Sequence, residues 1–276
     1  MTATASNKVI RVTPKGIRDQ KGKEPIVCLT AYTAAMAKAV DEHVDLLLVG
    51  DSLGMVLYGY DSTLKVTVEM MVRHGSAVTC ATKHACVVVD LPFGSYQESV
   101  ELAYRNAATI LAETGCSAVK LEGGQEMAKT VAYLVQRGVP VMGHVGLTPQ
   151  HINTLGGFRA QGRTTSEAEL LKTDAIAISE AGAFGIVAEA MPQETGAILT
   201  QSAGAPIIGI GAGQSCDGQI LVTHDMLGLS GDFKPRFVKQ YVDLGAQMSL
   251  AAKDFSREVR SRSFPSRRYN YKLKVI

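Results

Sequence analysis

LLLVGDS, residues Leu46–Ser52, sets the reading of the whole chain. Four branched apolar residues in succession leave no side for solvent, so the run suits a parallel strand covered on both faces, and Gly50 with the polar pair Asp51–Ser52 ends it abruptly. The same form recurs on either side. Strands are expected at Ile26–Tyr32, Val44–Asp51, Ala85–Pro92, Ala118–Glu122, Pro140–Gly146, Gly185–Glu189, Pro206–Gly211 and Gly218–Thr223. Between them Val100, Ala103, Ala107, Ile110 and Leu111 keep one helical face, as do Met127, Val131, Leu134 and Val135, and Gly115 and Gly138 stand where helix C-caps belong. About eight βα units predict an α/β protein folded as a (β/α)8 TIM barrel, since a doubly wound sheet needs fewer strands and a recognisable nucleotide loop.

The 276 residues carry 28 Lys+Arg against 26 Asp+Glu, with 46% hydrophobic and 20% charged residues, enough to bury a core and unlike disordered or fibrous chains. No Pro/Gly/Ser linker divides the sequence. One barrel domain over residues 1–276 is therefore expected, with an N-terminal basic segment Lys8–Lys23 and closing helices from about Lys234 to Arg262. No uncharged apolar run reaches membrane-spanning length, and the polar start Met1–Lys8 lacks the apolar core of a secretory leader, so a cytoplasmic protein without membrane partners is expected. Cys28, Cys80, Cys86, Cys116 and Cys216 form no C-x-x-C pair and read as reduced core thiols. Arg257–Ile276 holds seven basic residues against one acid, which suits a solvated terminus better than a nucleic-acid surface.

A barrel of this kind works at the C-terminal mouth of its strands, so polar residues ending apolar runs are the candidates. LLLVGDS supplies Asp51 and Ser52, VVVDLPF supplies Asp90, AVKLEGG supplies Lys120 and Glu122, VMGHVG supplies His144 and GIVAEAMP supplies Glu189. Asp51, Asp90 and Glu122 end neighbouring strands, and converging carboxylates repel unless a cation or proton intervenes; hard oxygen donors suit a magnesium-like ion. The alternative is that these acids pair with Lys120 or Arg105. Lys120 and Glu122, two apart, share a face, where the lysine would grip a substrate carboxylate. Glu189, in an Ala/Val setting, suits a general base or, more plainly, a helix N-terminal carboxylate. His144 is either an oxyanion donor or a satisfied core histidine. Gly209–Gly213, GIGAG, fits a phosphate-binding turn or close packing equally well, and Thr148–Thr165 fits a mobile lid or an interface loop.

LTAYTAAMA (Leu29–Ala37), LLLVGDSLGMVLYGYDSTLKVTVEMM (Leu46–Met71), DLPFGSYQES (Asp90–Ser99), AVKLEGG (Ala118–Gly124), PVMGHVGLTPQHINTLGGFRAQGR (Pro140–Arg163), AEAMP (Ala188–Pro192) and PIIGIGAGQSCDGQILVTHDMLGL (Pro206–Leu229) together resemble the ketopantoate hydroxymethyltransferase family. The resemblance implies a barrel of the phosphoenolpyruvate mutase/isocitrate lyase type. It also implies Mg²⁺-dependent transfer of a one-carbon unit from 5,10-methylenetetrahydrofolate to 3-methyl-2-oxobutanoate in pantothenate synthesis, and a cytoplasmic homo-oligomer, commonly a decamer. Residue by residue, it puts the metal on Asp51, Asp90 and Glu122, the keto acid on Asp51, Ser52, Asp90 and Lys120, and the proton acceptor on Glu189. The chain departs from the family pattern at Lys65, at Ala190 and in the ending SRRYNYKLKVI after Phe264–Pro265. A Mg²⁺-dependent lyase or mutase is the rival enzyme class, although its K-K-C-G-H loop is missing here. A binding module using the basic tail is the non-enzymatic rival, and it would show strongly salt-dependent binding.

Overall fold

All eight expected strands form, the sixth with the expected bounds and the other seven shorter than expected. They are β1 (Ile26–Thr30), β2 (Leu46–Val49), β3 (Cys86–Asp90), β4 (Ala118–Lys120), β5 (Val141–Gly146), β6 (Gly185–Glu189), β7 (Ile207–Ile210) and β8 (Gly218–Leu221). The computed structural model describes residues 11–230 and 235–272, so the start of the Lys8 segment, Lys234 and the last four residues of the basic tail lie outside the described residues. The strands are parallel and close in sequence order, β8 returning to β1 with Ile26 opposite Gly218. Leu46, Leu47, Leu48 and Val49 are all buried, as are Cys86–Asp90, as continuous rather than alternating apolar runs require.

Helices alternate with the strands along the chain and follow the last of them. They are α1 (Pro14–Asp19), α2 (Ala34–Val40), α3 (Leu53–Val56), α4 (Val68–Ala81), α5 (Val100–Thr114), α6 (Ala128–Gln136), α7 (Ile152–Leu155), α8 (Thr165–Glu180), α9 (Gln193–Ser202), α10 (Thr223–Leu227) and α11 (Leu244–Arg260). Thr33, Thr67 and Ser99 cap α2, α4 and α5 through their hydroxyls, and Thr164 with Glu167 makes a capping box on α8. Gly115 ends α5 in the left-handed conformation at φ 67°, as its position after the apolar face required. Ala103, Ala107 and Ile110 of α5 and Val131 and Leu134 of α6 are buried, the expected inward faces.

The βα rhythm breaks once. Residues 211–217 join β7 to β8 with no helix, so the seventh βα unit lacks the helix the repeat predicts. Elsewhere the ends of strands are held by side chains. Buried Asp41 accepts hydrogen bonds from the backbone N–H groups of Lys83 (2.6 Å), His84 (3.0 Å) and Ala85 (2.9 Å), fixing the entry into β3. Residues up to Thr223 make one compact unit and those from His224 a second; α11 belongs to the second. Four of the five cysteines are buried and unpaired, while Cys80 is exposed on α4, contrary to the core reading. No helix among the described residues is long and apolar enough to cross a membrane.

Candidate active site

The C-terminal ends of β2 to β6 carry every candidate residue, and the barrel closure brings them together. Asp90 is the last residue of β3, Lys120 the last of β4, His144 lies inside β5 and Glu189 is the last of β6. Asp51 and Glu122 lie two residues beyond the ends of their strands rather than within them, and all but Ser52 and Glu189 are buried. Lys120 Nζ stands 3.1 Å from Asp90 Oδ1 and 3.3 Å from His144 Nδ1. His144 reaches Glu122 Oε1 at 3.5 Å through Nδ1 and Glu189 Oε2 at 3.3 Å through Nε2. Asp51 donates its backbone N–H to Asp90 Oδ2 at 3.0 Å, and Ser52 Oγ lies 2.7 Å from the hydroxyl of Tyr32.

The structure bears on two alternatives left open by the sequence. Asp90 does pair with Lys120, yet Asp90 Oδ1 makes no aligned hydrogen bond although it is buried, so the ion pair leaves that oxygen with coordinating capacity. His144 is buried and stands between the Glu122 and Glu189 carboxylates. The setting of Glu189 is accordingly not the Ala/Val one expected: an imidazole faces its carboxylate.

Charge explains the electrostatics. Burial raises the Asp51 carboxyl well above its usual range, and the neighbouring Asp90 and Glu122 charges add to this against Lys120 and a hydrogen bond from Gln150. Burial likewise raises Asp90, opposed chiefly by Lys120. Glu122 is held low despite burial because His144 and Lys120 face it. Burial and the Lys120 ammonium push His144 down, but its carboxylate neighbours Glu122 and Glu189 outweigh them and raise it to about 9. The Lys120 ammonium is held by the three acids against its desolvation. Four acidic side chains, Asp51, Asp90, Glu122 and Glu189, thus gather around one lysine and one histidine, an excess of oxygen donors that a hard divalent cation would suit. As the side chains stand, no three His, Cys, Asp or Glu among the described residues are gathered around one point, because Glu122 turns to His144 and to the N–H of Gln150. The donor chemistry fits a hard divalent ion at Asp51 and Asp90; Glu122 faces it with both oxygens already engaged.

Sequence reading missed Gln150 and Tyr96. Both are buried in the mouth, Gln150 at the start of the segment expected to be a lid or interface loop and Tyr96 in the β3–α5 connection. Neither ends a strand, so the search along strand ends passed over them; LTPQH and FGSYQ offered only their polar residues beside a barrel mouth as signals. The rest of that segment makes a helical turn at Pro149–His151, α7 and an irregular stretch up to the Thr164 cap. The GIGAG turn is a packing device: a Cβ on Gly213, at φ 87°, would lie 2.4 Å from Gln193 Cβ, and one on Gly196 of α9 would lie 2.0 Å from Ala212 O. With no helix behind it, the turn lacks the N-terminal dipole of a phosphate site.

Residues 11–267 match the family model described as ketopantoate hydroxymethyltransferase. A relative from Paracoccus denitrificans (strain Pd 1222), named 3-methyl-2-oxobutanoate hydroxymethyltransferase, is 57% identical over 265 residues, covering 96% of each chain. Among solved structures, 2,3-dimethylmalate lyase, described as a phosphoenolpyruvate mutase/isocitrate lyase superfamily member, superposes with a TM-score of 0.58 at 14% identity over 95% of this chain and 92% of its own. Phosphonopyruvate hydrolase in complex with oxalate and Mg²⁺ gives 0.59 at 13% identity, covering 95% of this chain and 92% of that one. At such identities these two structures speak for the barrel alone.

Proposed function

The chain belongs to the ketopantoate hydroxymethyltransferase family, and from that premise we propose that it transfers a hydroxymethyl group to 3-methyl-2-oxobutanoate, with 5,10-methylenetetrahydrofolate as donor and 2-dehydropantoate and tetrahydrofolate as products. The observation that carries this reading is the buried constellation of Asp51, Asp90, Lys120, Glu122 and His144 with Glu189 at the rim, a basic and acidic centre suited to a small 2-oxo acid. Asp51 and Asp90, with Glu122 facing them, would hold Mg²⁺. When bound, that ion would polarise the substrate ketone and ease loss of the C3 proton.

The chain's own groups supply the remaining steps. Lys120 offers an ammonium to the carboxylate and to the oxygen that gains charge, while Ser52, its hydroxyl oriented by Tyr32, fixes the carboxylate from the β2 side. Glu189 Oε accepts the C3 proton, and the His144 imidazole beside it orients the carboxylate. Water takes the methylene carbon from the donor at the formaldehyde level, both C–N bonds breaking and the two water protons passing to the nitrogens of the departing tetrahydrofolate; the electron pair left at C3 then forms the new C–C bond to that carbon, and the resulting alkoxide takes the proton held by Glu189. The same reading includes assembly as a cytoplasmic homo-oligomer, a decamer in keeping with the family resemblance. The exposed Met248, Leu250, Phe255 and Val259 of α11 support self-association.

Glu189→Gln tests the base directly. Substrate-dependent exchange of the C3 proton into deuterated water, followed by NMR with Mg²⁺ present, should fall by at least a hundredfold, while calorimetric binding of the keto acid stays within about threefold. Exchange that survives the substitution would remove Glu189 from this role.

A further inference from the structure

We propose that Gln150 is the positioning residue of this centre, setting the Asp51 carboxylate through its side chain and the Glu122 carboxylate through its backbone. Its Nε2 donates to Asp51 Oδ2 at 2.9 Å and to Leu91 O at 3.0 Å. Its Oε1 accepts from the Tyr96 hydroxyl at 2.7 Å and from Gln97 Nε2 at 3.2 Å. Its backbone N–H donates to Glu122 Oε2 at 3.0 Å. All the amide's neighbours on one side are acceptors and all on the other are donors, so only one orientation of the amide satisfies them.

Tyr96 fixes that orientation. Its oxygen accepts the backbone N–H of Glu122 at 3.1 Å, which leaves its single proton for one acceptor, and Gln150 Oε1 at 2.7 Å is closer than Glu122 O at 3.2 Å. Burial, reinforced by the nearby acids, keeps this phenol protonated and able to donate. Two carboxylates from different strands are thus clocked by one glutamine of the β5–α7 connection, itself locked by a tyrosine of the β3–α5 connection. Gln150 touches no reacting atom in this arrangement; it acts through Asp51 and Glu122. A glutamate in its place would keep the shape and the acceptor toward Tyr96 but would turn an oxygen toward Asp51 Oδ2 and Leu91 O, setting acceptor against acceptor.

The proposal rests on the reading of Asp51 as a keto-acid residue, and the test separates the two. Wild type, Gln150→Glu, Gln150→Leu and Tyr96→Phe are titrated calorimetrically with 3-methyl-2-oxobutanoate in excess Mg²⁺. The maximal C3 exchange rate in deuterated water and the thermal midpoint are measured on the same preparations. The expected result is a keto-acid Kd raised ten- to a hundredfold by both Gln150 substitutions, the range for losing a hydrogen bond to a charged group, with maximal exchange within about threefold of wild type. Tyr96→Phe, which keeps the ring and removes only the hydroxyl, should raise Kd about threefold or more, and it carries the test should Gln150→Leu not fold. A lowered midpoint with Kd within twofold in the folded variants would make Gln150 a structural residue and overturn the proposal. Collapse of maximal exchange at unchanged Kd would overturn it too, placing the effect on the base side. A folded wild-type protein that neither binds the keto acid nor exchanges its proton would instead overturn the reading of the site, and the proposal with it.

Discussion

Asp41→Asn tests how the chain holds the strand that delivers Asp90. The Asp41 carboxylate clamps three consecutive backbone N–H groups, with Lys83 and His84 on Oδ2 and Ala85 on Oδ1, just before β3 begins at Cys86. Asparagine has nearly the same shape but one acceptor oxygen, so whichever way its amide turns, one side of the clamp sets donor against donor. The remaining bonds also lose their charge. A hydrogen bond to a charged group contributes about 1.5–3 kcal/mol, so losing at least one and weakening the rest should cost about 3 kcal/mol. The pH dependence follows from the same geometry. Burial favours the neutral acid, but the three backbone donors outweigh it and hold the carboxyl below its ordinary value of 3.8. A group depressed in the folded state stabilises fully above its unfolded value, and that stabilisation is lost as pH falls through the folded one. Urea unfolding followed by far-UV circular dichroism, at one protein concentration, should therefore show the full gap between wild type and variant from pH 5 to 8. The gap should close as the pH is lowered below about 4. A gap under 1 kcal/mol at pH 7, or one that widens in acid, would refute the clamp.

Other expectations concern the mouth itself. Lys120→Met should destabilise the protein by about 3–5 kcal/mol at pH 8, because it leaves the buried Asp90 carboxylate without its cation; since burial raises Asp90, thermal midpoints measured toward pH 5 should show a smaller loss. Gly146→Ala puts a Cβ 2.4 Å from the backbone oxygen of Glu189 at a residue with φ 96°, so β5 and β6 must part. A cost of about 2 kcal/mol or more in urea unfolding and a tenfold or greater fall in C3 exchange are expected, whereas a wild-type exchange rate would show that the spacing of these strand ends is not critical. Asp90→Asn should weaken Mg²⁺ binding and keto-acid affinity together in calorimetric titrations, and unchanged affinities would count against Asp90 as a ligand.

The barrel was legible because its cause is local. Continuous apolar runs such as Leu46–Val49 and Val87–Val89 have no polar face to leave in water, so parallel strands covered on both sides are their only stable use, and the glycines after α5 and α6 marked where each layer turns back. Asp51, Ser52, Asp90, Lys120, Glu122, His144 and Glu189 were legible for the same reason, as polar residues closing apolar strands. Only the tertiary structure decided who faces whom. That Asp90 turns to Lys120, that His144 stands between Glu122 and Glu189, and that Gln150 and Tyr96 enter the mouth from connections depends on ring closure bringing β3, β4, β5 and β6 side by side. The missing helix after β7 and the packed role of Gly213 depend likewise on α9 lying against that turn. Hydrophobic periodicity records which faces are buried. It does not record the distances at which buried charges meet, and in a dry site those distances set both protonation and chemistry.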